Sequence, residues 1–378
     1  MKFLSAMLLC ASTAAFGAQP VPDDLRTGLI ALQKNDLTLA RQTLEHASTV
    51  TPENALVWAA LAQAYLRSNQ MDRARGAAER AAKLAPEDAT IQHALALFWS
   101  EVGDAAQTIT WATADLKHRN TAELHHLLAQ AYQASNQPEK AIGEYHEAAE
   151  RAPANETYAF DLGQMQLRRG DFAGALSTLG AARANFPKSA QMELAWGVAA
   201  YGQRRFQDAI DSFLRVIVID PGVEQPYVFL AQVLDQAGDR MPRILAAFDA
   251  WRNAAPRNCL AWCLHAKALN AANGDPAQVE AELRRSIELN GAYWQSHFEL
   301  GQLLAREKKW PQASAELARS IELNPQNAGA HFQLARVYER MGMKEQALAE
   351  RAAHERMTAA ETGSPLDAAA GAKGISLP

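Results

Sequence analysis

The sequence predicts an all-α solenoid of about ten helix-turn-helix repeats. Prolines recur at one or two steps of a period near 34 residues, and a period in this range indicates stacked supersecondary units. The alanine-rich composition, without long apolar–polar alternation, favours helix over strand. The prolines that define the period are Pro52, Pro86, Pro153, Pro187, Pro221, Pro256 and Pro325.

Each predicted repeat follows one internal pattern, which is clearest between Ala55 and Glu87. Apolar residues spaced by three and four positions share one face of a first helix. Small residues in both helices permit a close approach, and the proline ends the second helix because it disfavours helical geometry at the residue before it. The residues concerned are Trp58, Leu61, Ala62, Tyr65, Ala74, Ala81 and Pro86, at positions 4, 7, 8, 11, 20, 27 and 32.

This pattern resembles the tetratricopeptide repeat (TPR), whose large, small and proline positions are the same. Another unit repeats it with Leu128, Ala129, Tyr132, Ala141, Tyr145, Ala148 and Pro153. The resemblance implies a right-handed superhelical solenoid whose first helices line a concave groove. It also implies a protein that binds protein or peptide partners.

The repeats and a charged terminal helix are expected to occupy residues 21–361. In the third repeat, Thr108 and Asp115 replace small residues, which predicts looser packing of its second helix. A one-residue shift predicts a local irregularity between Met241 and Gly291. The predicted repeat starts are Val21, Ala55, Ala89, Ala122, Glu156, Ala190, Glu224, Leu260, Trp294 and Ala328.

The two ends of the sequence differ from the repeats. Residues 1–18 contain Lys2, an apolar stretch and small residues, a pattern typical of a cleaved secretory signal. Cys10 follows Leu9 rather than a small residue, so lipoprotein anchoring is not expected. Residues 362–378 are rich in Gly, Ala and Pro and are expected to form a flexible tail. We therefore expect a periplasmic or secreted bacterial protein without a membrane span in the mature chain.

The charge pattern and the motifs predict neither nucleic-acid binding nor catalysis. The formal net charge is −5, and lysines and arginines form no block, so the electrostatic footprint of a nucleic-acid-binding protein is lacking. The sequence contains no phosphate-binding glycine loop and no His-Glu-x-x-His motif. We predict no catalytic residues, no cofactor and no metal site.

Cys259 and Cys263 lie four residues apart on a predicted helix. This spacing places their Cβ atoms about 5–6 Å apart, beyond the roughly 3.5–4.5 Å that a disulfide requires. A metal or haem site with His265 is the alternative, but the adjacent Cys-His pair of haem attachment is missing. We favour buried structural cysteines.

Glutamine recurs at position 9 of the first helices, which points into the groove in the family that the sequence resembles. Neighbouring helices pack about 8–10 Å apart, roughly three residues of extended chain. A glutamine side chain can form hydrogen bonds with a backbone peptide group of the partner, whatever side chain the partner carries at that residue. The alternative is that these are solvated residues favourable for helix. The predicted partner-binding residues are Gln63, Gln130, Gln164, Gln232 and Gln302.

Phenylalanine at position 5 extends the candidate groove. Phe160, Phe298 and Phe332 occupy this position, and Phe229 comes one residue later in its unit. Aromatic residues in a groove are apolar anchors for a partner, whereas a shift of one position in helix phase would return them to the core. The carboxylate clamp of some relatives is absent, since Ala59 and Gln63 stand where lysine and asparagine are expected.

These observations predict a non-catalytic scaffold or adaptor of the cell envelope that binds a partner segment in its groove. One alternative is an accessory component of an envelope polysaccharide-export or outer-membrane assembly complex. A regulatory subunit or fragment of an enzyme is the other.

Overall fold

The computed structural model describes residues 23–361, which form ten consecutive pairs of α-helices. The expected leader, residues 1–18, and the expected tail, residues 362–378, lie outside the described residues. The first helices are α1 (Asp23–Gln33), α3 (Ala55–Arg67), α5 (Ala89–Val102), α7 (Ala122–Ala134), α9 (Glu156–Arg168), α11 (Ala190–Gly202), α13 (Gln225–Gln232), α15 (Cys259–Ala271), α17 (Trp294–Arg306) and α19 (Ala328–Arg340). The second helices are α2 (Leu37–Val50), α4 (Met71–Leu84), α6 (Ala105–Asp115), α8 (Pro138–Arg151), α10 (Phe172–Arg183), α12 (Phe206–Ile219), α14 (Met241–Ala254), α16 (Pro276–Leu289), α18 (Trp310–Leu323) and α20 (Lys344–Glu361).

The chain divides into two compact units, and the boundary lies inside α9, between Met165 and Gln166. In the first unit, α1, α3, α5 and α7 each pack against the second helix of the same pair, and α2, α4 and α6 pack against the next first helix. The second unit repeats this alternation from α11 to α20, with one irregular pair. The all-α fold of helix-pair repeats predicted from the sequence is therefore confirmed.

Most first helices begin at the residue where the sequence pattern placed the repeat start. The reason is local, because an N-cap side chain follows the turn in many repeats. Asn54, Asp88 and Asn327 each accept a hydrogen bond from a backbone N–H of the first turn, and such caps contribute about 1 kcal/mol each. Proline and cap together fix where one repeat ends and the next begins.

The turn between the two helices of a repeat depends on one residue with positive φ. Asparagine and glycine, which tolerate this conformation best, occupy most of these positions, and Arg204 and Lys308 adopt it with φ near 60°. Along the described residues the series runs Asn35, Asn69, Gly103, Asn136, Gly170, Arg204, Gly238, Asn273, Lys308 and Gly342.

Small residues bring the two helices of a repeat together. A Cβ atom at Gly28 would lie 2.5 Å from Leu44, and one at Gly301 would lie 2.6 Å from Leu317. These distances are too short for carbon atoms, so only glycine fits without movement of the neighbouring side chain. Ala74 plays the same role from a second helix, with no exposed surface.

The third repeat is not loosely packed, so this expectation from Thr108 and Asp115 was wrong. Asp115 is completely buried, and its carboxylate accepts a hydrogen bond from Nδ1 of the buried His93 at 2.7 Å. The Thr108 hydroxyl donates to the carbonyl of Asp104. A polar pair between α5 and α6 fills the space that small apolar residues fill elsewhere.

The irregularity expected around Met241 to Gly291 begins earlier in the seventh repeat, at residues 233–240, and includes the helix that starts at Met241. Helix α13 ends at Gln232 and continues as two short 3₁₀ turns. In the following helix α14, the buried Ile244 and Trp251 occupy the places of Ala74 and Ala81 in α4. These larger side chains separate the two helices of the pair.

A recurring hydrogen bond ties each of several first helices to the turn before it. A side chain near the helix start donates to the backbone carbonyl six residues earlier, at distances of 2.8–3.3 Å. Four residue types make this bond, so the position requires a donor rather than one side chain. The donors are Trp58, Gln92, Tyr227, Trp262, His297 and His331, and their acceptors are the carbonyls of Pro52, Pro86, Pro221, Pro256, Gly291 and Pro325.

Candidate binding face on the first helices

The predicted glutamines differ in their availability. Gln130 on α7 and Gln232 on α13 are exposed. Gln164 on α9 and Gln302 on α17 are half-buried. These four side chains therefore reach the surface of the first helices, at positions one or more repeats apart.

Gln63 does not belong to an open surface, which corrects the sequence-based assignment. Its side chain is only 1% exposed, and its Nε2 atom donates to the Glu101 carboxylate on α5 at 2.6 Å. The bond joins the first helices of the second and third repeats. Gln63 is therefore a structural residue between α3 and α5.

The predicted phenylalanines also separate into exposed and buried residues. Phe332 on α19 is 42% exposed, whereas Phe160 on α9 and Phe298 on α17 are half-buried. Phe229 on α13 is only 5% exposed and stacks on Phe213 of α12 with ring centroids 5.0 Å apart. The one-residue shift of the seventh repeat places Phe229 in the core.

Polar pairs connect neighbouring first helices within each unit. His126 on α7 donates through Nε2 to Asp161 on α9 at 2.7 Å, and Lys267 on α15 pairs with Glu299 on α17 at 3.1 Å. Sequence reasoning missed these pairs because their members are not at equivalent positions of the repeat. These pairs connect adjacent first helices, and they neutralise part of the charge on the first-helix surface.

Three arginines on the last two first helices were also missed. Arg306 on α17 and Arg336 and Arg340 on α19 are exposed. Arg306 and Arg340 are separated by one repeat length, 34 residues, as are Phe298 and Phe332. The search for a lysine or arginine block did not reveal them, because they are distributed over two helices.

The cysteines of α15 are free thiols. Cys263 is buried and Cys259 is half-buried. Burial raises the pKa of the Cys263 thiol to about 12, which keeps it protonated near neutral pH. A protonated, inaccessible thiol is a poor nucleophile and a poor metal ligand, so Cys263 acts as a small core residue.

Residues 23–361 contain neither a metal-binding cluster nor a helix that could span a membrane. His, Cys, Asp and Glu side chains in this range form no group of three that could hold a metal ion. None of the helices between α1 and α20 has both the length and the apolar character needed to cross a bilayer.

The molecule is thus a protein of helix-pair repeats with partly exposed polar residues on the first helices. Models of the tetratricopeptide repeat match residues 31–98, 126–182, 161–224 and 317–349, together more than half of the chain. The chain belongs to the tetratricopeptide repeat family. Its fold is suited to protein–protein interaction.

Solved structures of TPR proteins are similar to this chain at low sequence identity. PilF of Pseudomonas aeruginosa is 15% identical over 60% of this chain and 99% of its own, with a TM-score of 0.45. Yeast Tom70 is 15% identical over 92% and 88%, with a TM-score of 0.43. YrrB, a TPR protein with an unusual peptide-binding site, is 18% identical over 48% and 95%, also with a TM-score of 0.43. No curated protein sequence matches the chain.

Proposed function

We propose that this protein is a non-catalytic scaffold or adaptor of the bacterial cell envelope that binds a segment of a partner protein on its first helices. The observation that carries the proposal is the exposure of Gln130 and Gln232 on first helices. An exposed amide without an internal partner offers one acceptor and two donors to a peptide backbone. The half-buried Gln302 lies at the same position of the repeat and extends this set.

Matched glutamine substitutions test the proposed binding face. Gln232→Ala removes an exposed amide from a first helix of the second unit, and Gln312→Ala removes an exposed amide from the second helix α18 of the same unit. A neutral hydrogen bond contributes about 0.5–1.5 kcal/mol, so the first variant should weaken partner binding by roughly 2-fold to 13-fold. The control variant should bind like wild type.

The partner for this titration is isolated by cross-linking and pull-down from bacterial envelope extract with the chain from Gln19 onward. Binding is measured by calorimetry, and thermal melts establish that both variants are folded. Loss of affinity in the second-helix variant alone would place the binding surface on the opposite side and contradict the proposal.

The envelope location is part of the proposal and is supported by the signal-like composition of residues 1–18. We expect processing between Ala15 and Gln19, with the mature protein recovered from the periplasmic or secreted fraction. Intact mass spectrometry of the expressed protein measures the new N-terminus. A lipid-modified N-terminus at Cys10, or an unprocessed cytoplasmic chain, would refute this location.

A further inference from the structure

Two equivalent rows of side chains lie on the last two first helices. In each row, phenylalanine is followed four residues later by an amide or guanidinium and four residues after that by arginine. Residues spaced by four lie on one side of a helix, with Cβ atoms about 5–6 Å apart, and α17 packs against α19. We call this surface the Phe–Arg face; it consists of Phe298, Gln302 and Arg306 on α17 and Phe332, Arg336 and Arg340 on α19.

The aromatic residues of the Phe–Arg face are accessible. Phe332 is 42% exposed, and the Arg336 guanidinium lies 5.7 Å from the centre of its ring. Phe298 is half-buried, and a Cβ atom at Gly329 would approach its ring to 3.5 Å. Glycine at this position therefore leaves one ring edge uncovered by α19.

The arginines of the Phe–Arg face carry charge that the neighbouring residues do not neutralise. Among residues 23–361, Arg306, Arg336 and Arg340 have no carboxylate within ion-pair distance, although the Arg306 guanidinium donates to the Asn270 side chain. The carboxylates beside them already have cationic partners. These pairs are Glu299 with Lys267, Glu307 with Lys309 and Glu339 with Arg351.

Arginines on the second helices of the same region behave differently. Arg284 pairs with Glu280 at 2.7 Å, and Arg285 pairs with Glu288 at 2.9 Å. Arg319 on α18 has Glu322 on the same helix at 2.8 Å. Unlike these three second-helix arginines, the three arginines of the Phe–Arg face have no carboxylate partner among residues 23–361, in a chain whose formal net charge is −5.

We propose that the Phe–Arg face binds an acidic peptide segment in which carboxylates flank an apolar side chain. This inference rests on the proposed function, because it assigns a ligand chemistry to part of the same first-helix surface. A guanidinium binds a carboxylate through two parallel hydrogen bonds, and the exposed phenylalanine rings supply the apolar anchor.

The dimensions of the Phe–Arg face define the length of the segment. Eight residues along a helix rise about 12 Å, which corresponds to roughly four residues of extended peptide. Glu339 lies between Arg336 and Arg340 in the sequence and is exposed, so a continuous polyanion would meet this carboxylate. An acidic peptide with separated charges fits the face better than a nucleic acid does.

The test uses a fluorescein-labelled peptide of about ten residues with alternating acidic and leucine residues, roughly 33 Å long when extended. A peptide with lysine at each acidic position and a single-stranded oligothymidine are measured beside it. The variant combines Arg306→Gln, Arg336→Gln and Arg340→Gln. Its matched control combines Arg284→Gln, Arg285→Gln and Arg319→Gln, which changes the net charge equally.

We expect saturable binding of the acidic peptide to the wild-type chain, weakened about tenfold to a thousandfold in the first-helix variant. The control should differ from wild type by no more than about twofold, because Arg284, Arg285 and Arg319 lie on second helices and do not belong to the Phe–Arg face. Added salt should weaken binding, since exposed charges are screened over about 8–10 Å. Phe332→Ala should also weaken binding, whereas Leu348→Ala, at an exposed apolar residue of α20, should not.

The proposal is overturned if the acidic peptide does not bind, if both arginine variants bind it equally, or if only the oligothymidine binds. Peptides selected on the wild-type chain from a random library then distinguish a failure of this inference from a failure of the proposed function. Selected peptides that are not acidic but lose affinity in the Gln232→Ala variant would retain the proposed function and refute only this inference. Selected peptides that are insensitive to every first-helix substitution would refute both.

Discussion

The second and seventh repeats show two ways of joining a pair of helices. In the second repeat, α3 has 13 residues and packs closely on α4 through the fully buried Ala74 and Ala81. In the seventh repeat, α13 has 8 residues, and Ile244 and Trp251 of α14 replace those alanines. The Tyr227 ring stacks on Trp251 with centroids 4.2 Å apart. The size of the side chains at these two positions of the second helix therefore determines how closely the two helices of the repeat approach.

The irregular seventh repeat is held from both sides by its neighbours. Arg240, in the second 3₁₀ turn, donates to Asp211 on α12 at 2.7 Å. Arg252 on α14 donates to Glu282 on α16, and Glu282 also accepts from His265 of α15 at 2.6 Å. Besides the stacking of Tyr227 on Trp251, the seventh repeat therefore makes ion pairs to the repeats before and after it.

The largest effect is expected from Trp251→Ala. The substitution removes a ring that is only 6% exposed and stacked on Tyr227. We expect the space left by the ring to remain a cavity. Deleting a buried aromatic side chain costs about 3–5 kcal/mol of unfolding free energy. Urea denaturation followed by circular dichroism measures this cost. Val218→Ala, at an 83% exposed residue of α12, is the control, and similar losses in both variants would disprove the role of Trp251.

Ala74→Leu tests the opposite situation in the second repeat. Ala74 has no exposed surface, so the added atoms must push α3 and α4 apart, at a cost of about 1–3 kcal/mol. Glu79→Leu adds apolar atoms to an exposed residue of the same helix and should change the stability by about 0.5 kcal/mol or less. Thermal melts compare the two. An equal change in both variants would mean that α3 and α4 are not in close contact at Ala74.

Glu282→Gln tests how the seventh repeat depends on the eighth. Burial raises the pKa of Glu282, but hydrogen bonds from His265 and Gln278 and the charges of His265 and Arg252 outweigh this and lower it below 4.5. The carboxylate therefore stabilises the folded chain above about pH 4.5, and this contribution is lost as the pH falls through the lowered pKa. Near neutral pH the variant should lose about 1–2 kcal/mol.

The difference between wild type and Glu282→Gln should shrink as the pH falls below about 4.5 and through the lowered pKa of Glu282. Melting temperatures across this range provide the measurement. Glu288→Gln, at an exposed residue of the same helix, serves as the control and should show a small difference throughout. A gap between wild type and Glu282→Gln that stays constant with pH would contradict the assigned role of the carboxylate.

Much of the fold follows from the sequence because one spacing is repeated ten times along the chain. Proline, cap and small residues are local signals, and they placed most first-helix starts correctly. The position of the irregularity was predicted less well, since it depends on contacts of Ile244 and Trp251 with α13. The repeat spacing reveals that one residue has been inserted. The packing of the side chains determines which helix is shortened or distorted by the insertion.

The candidate site was less predictable because exposure depends on neighbouring repeats. Gln63 and Gln130 occupy the same position of their repeats, yet Gln63 is buried by its bond to Glu101. That bond requires a carboxylate 38 residues away, which no single-repeat pattern reveals. Sequence position thus identified residues that share one position of the repeat, and tertiary contacts determined which of these side chains are exposed.

The hydrogen bonds from Trp58, His331 and their counterparts to the preceding turns bear on how such an array could be lengthened or shortened. Each bond crosses the border between one repeat and the next, so cutting the gene at that border separates donor from acceptor. A cut at the turn between the two helices of a repeat, near Asn69 or Gly342, keeps them in one exchanged module. A module that begins with a second helix and ends after the next first helix therefore retains both the donor and the acceptor of this bond.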